Sequence, residues 1–524
     1  MPDHSRTDFS AARLERMHAA LRRHVDSGGV PGLVALVHQR GREHVEAIGT
    51  MAFGGEAPVR RDTIFRLAST TKPITAAGAM ILVEECKVRL DDPVDEWLPE
   101  LADRRVLRTI ESPLDDTVPA KRPITLRDLL TFRSGYGEVA FIAPASPLQQ
   151  ALGQARLPLS QWPFAGTPDE FMQRLGSLPL ACQPGERWLY HMGAEIVGVL
   201  IARVAGRSLG TFLSERIFEP LGMRDTGFRV PEEKLDRLPA CYGTDMTTGK
   251  LMVLDEAGGG YAARPSAFES GAGGLVSTVD DLLAFGRMML GSGIHGGERI
   301  LSRSAIEVMT MDHLTSEQKA VSPFFENFWE TRGWGLGLGL ITARRDLADA
   351  PGRFGWDGAF GTSWYVDPNE DLVGAGYFVV WAVLGTAAHA AAAGVMAVEM
   401  RWGETAEWLP AASGVVLLLT GAVQFTPWKA RQLALCRREW GDDCPSATAA
   451  AGAWRHGLEL GVRCSRSCGS LMLALVAIGM MDLLAMAAVT LAITLERLAP
   501  APLRVARMAG AAIVVVGVLT IARG

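Results

Sequence analysis

After Asp371 the sequence almost stops using charge, and that change constrains the fold more than any other feature of the chain. Leu372 to Val398 and Trp408 to Thr426 contain no Asp, Glu, Lys or Arg, Ser467 to Leu495 is interrupted only by Asp482, and Met508 to Ala522 is short but apolar. A helix crossing a bilayer core needs roughly 20 apolar residues. A buried helix of a water-soluble domain can read the same way, but successive runs this poor in charge predict an all-α membrane domain of about four helices, the last of them marginal in length.

The charge balance divides at the same place. The 524 residues carry a formal charge of −6, yet from Ala375 onward twelve Lys and Arg face nine Asp and Glu, leaving the earlier part strongly acidic. Two segments are therefore expected, residues 1–372 and residues 373–524. No long basic run occurs in either, which removes the electrostatic case for nucleic-acid binding. The 48% hydrophobic content excludes a disordered chain.

Orientation follows from the loops. The first 25 residues, MPDHSRTDFSAARLERMHAALRRHV, are charged throughout and hold no apolar core, so no secretory signal is expected. Seven basic residues from Lys429 to Arg466 separate the second and third apolar runs, whereas Glu399, Arg401, Glu404 and Glu407 lie between the first and second. The positive-inside bias assigns the basic loop to the cytoplasm and, one hairpin back, residues 1–371 as well; Arg497, Arg504 and Arg507 run against the pattern. The expectation is a multi-pass protein of the cytoplasmic membrane with its first domain in the cytoplasm. There Cys436, Cys444, Cys464 and Cys468 read as ligands or spectators rather than disulfides.

The first segment opens on an amphipathic helix near Phe9 to Val25, followed by a hairpin, GLVALVHQRG with EHVEAIGTMAF. Helical spacing recurs in ITAAGAMILVEECKV, LRDLLTF, AEIVGVLIARVAG and VDDLLAFGRMML, and strand-like text returns at GTSWYVDPNEDLVGAGYF. Strands at both ends around a helix-rich middle predict an α+β fold in which the terminal strands share one antiparallel sheet.

Its strongest chemical signal is Ser69-Thr70-Thr71-Lys72. On a helix, residues i and i+3 share a face, so the Lys72 amine can reach the Ser69 hydroxyl. A free lysine, with a pKa near about 10.4, is no base at neutral pH, but burial and a helix N-terminus both disfavour its charged form. Ser-Lys pairs are one variant of the nucleophile–base logic, although S-x-x-K alone also describes many ordinary helix turns.

The surrounding text makes the motif specific. FRLASTTKPITAAGAM, ITLRDLLTFRSGYG, CQPGERWLYHMGAEIVGVLIARVAGRSL, FEPLGMRDTGF, GAGGLVSTVDDLLAFGRMML and FGWDGAFGTSWYVDP stand in the order that resembles the serine beta-lactamase and penicillin-binding-protein-like superfamily. The likeness is to class C beta-lactamases and family VIII carboxylesterases, over roughly residues 15 to 372. It implies Ser69 as nucleophile, Lys72 as its proton-transfer partner and Tyr190 as the tyrosine that passes a proton to the leaving group. A phenol beside cationic Lys72 is expected to have a lowered pKa. Lactamases carry Tyr-x-Asn where this chain has Tyr190-His191-Met192, and the missing amide leans away from lactams and toward esters.

Trp356-Asp357-Gly358 stands where lactamases have lysine-threonine-glycine. The resemblance makes the amides of Ser69 and Ala359 the oxyanion hole, with Gly358 permitting close approach; losing one such donor costs about 3 to 4 kcal/mol in the barrier. Trp356 replaces a cation that would pair with a substrate carboxylate, favouring an apolar acyl or alcohol group, unless it simply packs against the sheet. Gly206-Arg207-Ser208-Leu209-Gly210 matches the nucleophile-elbow pattern, but the text before it is helical, and Ser208 reads as an N-cap with Gly206 ending the preceding helix. Asp280 and Asp281 read as a helix start, and His191 as a local hydrogen-bonding residue.

From about Gly376 the chain resembles bacterial integral-membrane proteins predicted to bind metal, through PWKARQLALCR, AWRHGLELGVRCSRSCGSLM and AIGMMDLLAMAAVTLAITLERLAP. His456, Cys464, Cys468, Met472, Asp482 and Met486 recur near helical spacing, and soft donors of this kind favour copper, with zinc as the alternative. Methionines packing a core and inert thiols explain the same residues without a metal. Three functions follow: a membrane-tethered serine esterase that needs no cofactor for its hydrolase chemistry and takes small ester or amide substrates; a non-catalytic ligand-binding domain on a metal-binding membrane domain; or a beta-lactamase or D-amino-acid peptidase.

Overall fold

The computed structural model describes residues 9–157, 164–244, 251–345, 349–369, 372–376, 409–426, 429 and 502–523. The chain divides into two compact units, Met1–Val379 and Val380–Gly524.

The first unit is built on a seven-stranded antiparallel sheet assembled from both ends of its sequence. Strands β1 (Gly32–Gln39) and β2 (Arg42–Gly49) form the expected hairpin. Its two-residue turn, Arg40-Gly41, has positive φ at both positions, 52° and 82°, the geometry whose twist matches a tight hairpin. The remaining strands are β3 (Arg332–Trp334), β4 (Gly339–Ile341), β5 (Phe354–Asp357), β6 (Ser363–Asp367) and β7 (Leu372–Gly376). Their order is β3-β4-β5-β6-β7-β1-β2, so β1 closes against β7, with Leu36 opposite Ala375 and Gln39 opposite Leu372. The terminal strands share one sheet, as their text predicts.

This closure moves the start of the apolar tail. Leu372–Gly376, the beginning of the first charge-poor run, is a sheet strand and not the start of a membrane helix. Its backbone groups are satisfied by β1 and β6, an arrangement the absence of charge alone does not reveal.

Helix α1 (Ala11–Asp26) lays Leu21 and Val25 against Val30, Leu33 and Ile48. On the other side of the sheet lie α2 (Thr71–Glu84), α3 (Met192–Ala205) and α4 (Val279–Leu290). Every residue of α2 from Thr71 to Leu82 is buried, Lys72 included, so this helix runs through the core instead of presenting one face to it. Shorter helices, among them Leu126–Leu130 with a Thr125/Asp128 capping box, fill the segment between α2 and α3.

In the second unit, helices α5 (Leu409–Val423) and α6 (Pro502–Arg523) pack closely through glycine: a Cβ on Gly421 would stand 3.0 Å from the Gly510 carbonyl oxygen, and one on Gly510 3.0 Å from that of Gly421. Among the described residues no single helix is long and apolar enough to cross a membrane. Within the run Trp408 to Thr426 the described helix is Leu409–Val423, 15 residues or about 22 Å at 1.5 Å per residue, and the chain turns after Val423. Helix α6 carries the fourth run, Met508 to Ala522, behind Arg504 and Arg507 in its first turns. The whole of the third run, Ser467 to Leu495, and the first run beyond Gly376 lie outside the described residues.

Candidate active site

Ser69 sits in a short 3-10 turn, Ala68–Thr70, that feeds directly into α2. Ala68 has φ of +46°, a left-handed conformation unusual for a residue with a Cβ and of the kind that clusters at functional sites. The turn is tied to the sheet: Thr362 Oγ1 donates to the Leu67 carbonyl at 2.7 Å and lies 3.1 Å from Thr70 Oγ1.

The i, i+3 spacing does what it predicts. Lys72 Nζ lies 2.7 Å from Ser69 Oγ, and both side chains are buried. The amine also donates to the Ala272 carbonyl at 2.8 Å, faces His191 Nδ1 at 3.4 Å, and lies 4.7 Å from the centre of the Tyr190 ring. Burial lowers the Lys72 pKa to about 7, against the opposing pull of Glu195 and Glu138. A base poised near neutrality is what proton abstraction from a serine requires.

Tyr190 is buried beside them, but its electrostatics depart from expectation. Burial raises the phenol well above its ordinary range, outweighing the hydrogen bonds from Ser69 and Trp356 that lower it. The proximity of a partly neutral Lys72 does not offset the desolvation of a phenolate. Tyr190 is therefore a protonated acid at neutral pH, not a phenol tuned toward ionisation.

Trp356 is neither an open substrate wall nor inert packing. Its indole nitrogen donates to the Tyr190 oxygen at 2.6 Å, and its ring meets Trp334 edge-on at 4.6 Å. Gly358 lies in the turn after β5, where a Cβ would stand 2.2 Å from the Leu67 carbonyl and 2.2 Å from Thr362 Oγ1. Only glycine lets this turn, which also carries Ala359, approach the Ser69 turn so closely.

Two residues belong to the site that the sequence reading leaves out of it. His191 and Glu195 are both buried, with His191 Nε2 3.3 Å from Glu195 Oε1, an ion-pair distance although not aligned as a hydrogen bond. Glu195 also accepts from Ser270 Oγ at 2.7 Å and from the Ala272 amide at 3.3 Å. Burial would raise its carboxyl pKa, but His191, Ser270 and Lys72 prevail and hold it below the usual range. The available signal is an acidic residue within the otherwise apolar AEIVGVLIA, four positions after His191.

The remaining predicted residues fall outside the site. Ser208 caps the helix Leu209–Leu213, accepting from the Thr211 amide at 3.2 Å, and Gly206 adopts the left-handed C-cap before it. Thr278 caps α4; Asp280 pairs with Arg61, and Asp281 accepts from Thr226 and the Asp225 amide. His456, Cys464, Cys468 and Met472, with Asp482 and Met486, lie outside the described residues. Among the described residues no group of three or more His, Cys, Asp or Glu is placed to hold a metal ion.

Comparison with known proteins fixes the lineage of the first unit. The beta-lactamase family profile matches residues 17–393. The chain belongs to the beta-lactamase family. Within that family the uncharacterized protein MT1414 of Mycobacterium tuberculosis is 38% identical over 69% of this chain and 88% of its own, and esterase EstB of Burkholderia gladioli is 31% identical over 64% and 82%. Among solved structures, EstCE1, described as a hydrolase with promiscuous acyltransferase activity, shares the fold, with a TM-score of 0.57 at 24% identity over 70% of this chain and 94% of its own. This beta-lactamase-family chain thus carries the serine-hydrolase fold its motifs predict. A second profile, PpoB2, described as a copper chaperone, matches residues 365–520.

Proposed function

We propose that the first unit is a serine esterase that forms an acyl-enzyme on Ser69. The observation that carries this reading is the 2.7 Å contact between Ser69 Oγ and a fully buried Lys72 whose pKa lies at about 7. Neutral Lys72 takes the Ser69 proton as Oγ bonds to the acyl carbon, and the amides of Ser69 and Ala359 hold the oxyanion. The protonated Tyr190 gives its proton to the departing alkoxide, and the Lys72 ammonium returns a proton to the Tyr190 oxygen, leaving both groups as they began. Water, or a second alcohol, then takes the acyl group by the reverse sequence.

An apolar acyl group is favoured by what lies beside Tyr190 and Trp356. Phe324 stands 5.0 Å from the Tyr190 ring and 6.3 Å from Trp356, and from it Phe325 and Phe141 continue outward, with Phe325 62% exposed. The neutral Trp356 offers no charge to a substrate carboxylate. Both features support an ester over a beta-lactam or a peptide ending in a carboxylate, as does the esterase among the relatives. The test is turnover of p-nitrophenyl acetate, butyrate and octanoate by the full-length chain, beside a chromogenic cephalosporin. Ester turnover favouring the longer chains and absent in Ser69→Ala is expected; turnover of the cephalosporin alone would reverse the assignment, and no turnover by a folded chain would leave a ligand-binding domain.

For the second unit we propose a copper-handling membrane segment that tethers the hydrolase to the cytoplasmic membrane on its inner side. The copper-chaperone profile and the soft donors Cys464, Cys468 and Met472, with His456, support the metal. The charge-poor runs and the basic loop from Lys429 to Arg466 support the membrane and its orientation. Stoichiometric Cu(I) binding lost in Cys464→Ser with Cys468→Ser is expected, and a full-length chain that binds neither copper nor zinc would remove this arm.

A further inference from the structure

His191 is held in a conformation that a residue with a side chain rarely adopts. Its φ and ψ are 75° and −62°, and the Met192 amide donates to the Tyr190 carbonyl at 3.1 Å, closing a three-residue turn around it. This is the strained form of the γ-turn. Strain of this kind persists only where the surrounding structure over-determines it. Here it sets a histidine at the entrance to α3, immediately after the acid Tyr190, with its ring between Lys72 and Glu195.

The geometry around Lys72 gives that ring a task. Three groups surround Nζ: Ser69 Oγ at 2.7 Å, the Ala272 carbonyl at 2.8 Å and His191 Nδ1 at 3.4 Å. A neutral amine has two N–H groups and one lone pair. A carbonyl oxygen can only accept, so it takes one N–H. Glu195, lying against Nε2, favours the imidazole tautomer with its proton there, which leaves Nδ1 as an acceptor for the second N–H. The lone pair is then left facing Ser69, where it must accept the hydroxyl proton. Without the second acceptor, the amine can turn about its carbon bond and donate to Ser69, which is the wrong direction for a base.

We infer that His191 is a positioning residue: together with Glu195 it orients the Lys72 amine so that its lone pair meets the Ser69 hydroxyl. The arrangement performs for a lysine base what a carboxylate performs for the histidine of a Ser-His-Asp triad. Glu195 in turn is fixed by Ser270 and the Ala272 amide, so the same carboxylate sets the tautomer of one acceptor and anchors the backbone of the other. The charged and titratable groups facing this cluster are Lys72 from α2, Glu195 from α3, Tyr190 from the strained turn, and Glu138, whose amide donates to the Tyr190 carbonyl at 3.1 Å.

The inference rests on the esterase reading, and the experiment separates the two. Full-length wild type, His191→Phe and His191→Asn are compared for kcat, KM and the pH profile of p-nitrophenyl butyrate hydrolysis. Phe keeps a ring and removes the acceptor; Asn keeps an oxygen near the Nδ1 position. The expected result for His191→Phe is a fall in kcat of about 10- to 100-fold with KM within about twofold. Its acid limb moves to lower pH, because an acceptor that favours the ammonium form is gone. His191→Asn is expected to recover much of kcat and to keep the wild-type limb. Should His191→Phe not fold, His191→Gly, which the positive φ favours, takes its place. An active wild type matched in kcat by the Phe or Gly variant, or a limb that stays in place while activity drops, would overturn the positioning role alone. A folded wild type inert toward the ester would overturn the esterase reading beneath it.

Discussion

The indole N–H of Trp356 donates to the phenolic oxygen of Tyr190 at 2.6 Å, joining strand β5 to the strained turn that leads into α3. With that oxygen already accepting from the indole, the hydroxyl proton is free to point at Ser69. A neutral donor also leaves the phenol protonated, whereas a cation at the same place would favour phenolate.

Trp356→Phe keeps the ring packed against Trp334 and removes the donor. In the proposed mechanism kcat for a butyrate ester should fall about fivefold with little change in KM, the net worth of one hydrogen bond being about 1 kcal/mol. Steady-state kinetics at neutral pH checks this, and an equal kcat would show that Tyr190 needs no orienting partner.

The lowered Lys72 pKa has two consequences of opposite kind. Because the reaction needs the neutral amine, kcat/KM should rise with pH through about 7 and then level. For stability, the folded state releases the Lys72 proton at about 7, while the unfolded chain keeps it to about 10.4. Between these values the unfolded state binds more protons, so stability grows with pH, and below about 7 the cost of burying the cation is fully present. Wild type should gain in Tm relative to Lys72→Met as the pH is raised from 7 toward 10; a constant difference would mean that Lys72 titrates as an ordinary lysine.

Gly358→Ala places a methyl 2.2 Å from both the Leu67 carbonyl and Thr362 Oγ1, atoms that belong to the two turns forming the proposed oxyanion hole. One of the turns must move. Activity should drop by about 100-fold or more, on the scale of a lost oxyanion donor, while near-UV circular dichroism stays native. Full activity would place the oxyanion donors elsewhere.

The hairpin, the shared sheet and the Ser69–Lys72 pair are legible in the sequence because each rests on local spacing: alternation, a turn glycine, and one helical turn. Ser208 is distinguishable from a nucleophile for the same reason, since the helix before it is written in residues 194–205. What local spacing does not show is how distant segments meet. Trp356 and Tyr190 are 166 positions apart, and nothing in either segment announces a hydrogen bond between them. The Tyr190 pKa is misjudged because proximity to Lys72 is readable whereas burial of the phenol depends on the whole fold. His191 escapes because its role comes from a strained backbone, and strain has no one-dimensional signature. From Leu372 the text carries two signals at once, strand-like residues and missing charge, and it is pairing with β1, more than 300 residues earlier, that makes the start of the run a strand.

The central claim is that Lys72 activates Ser69. Treating the full-length chain with a fluorophosphonate serine probe and locating the adduct by peptide mass spectrometry tests it most directly. The account predicts labelling at Ser69 that is lost in Lys72→Ala. Labelling at Ser208, or a folded chain with Ser69 unlabelled, would contradict it.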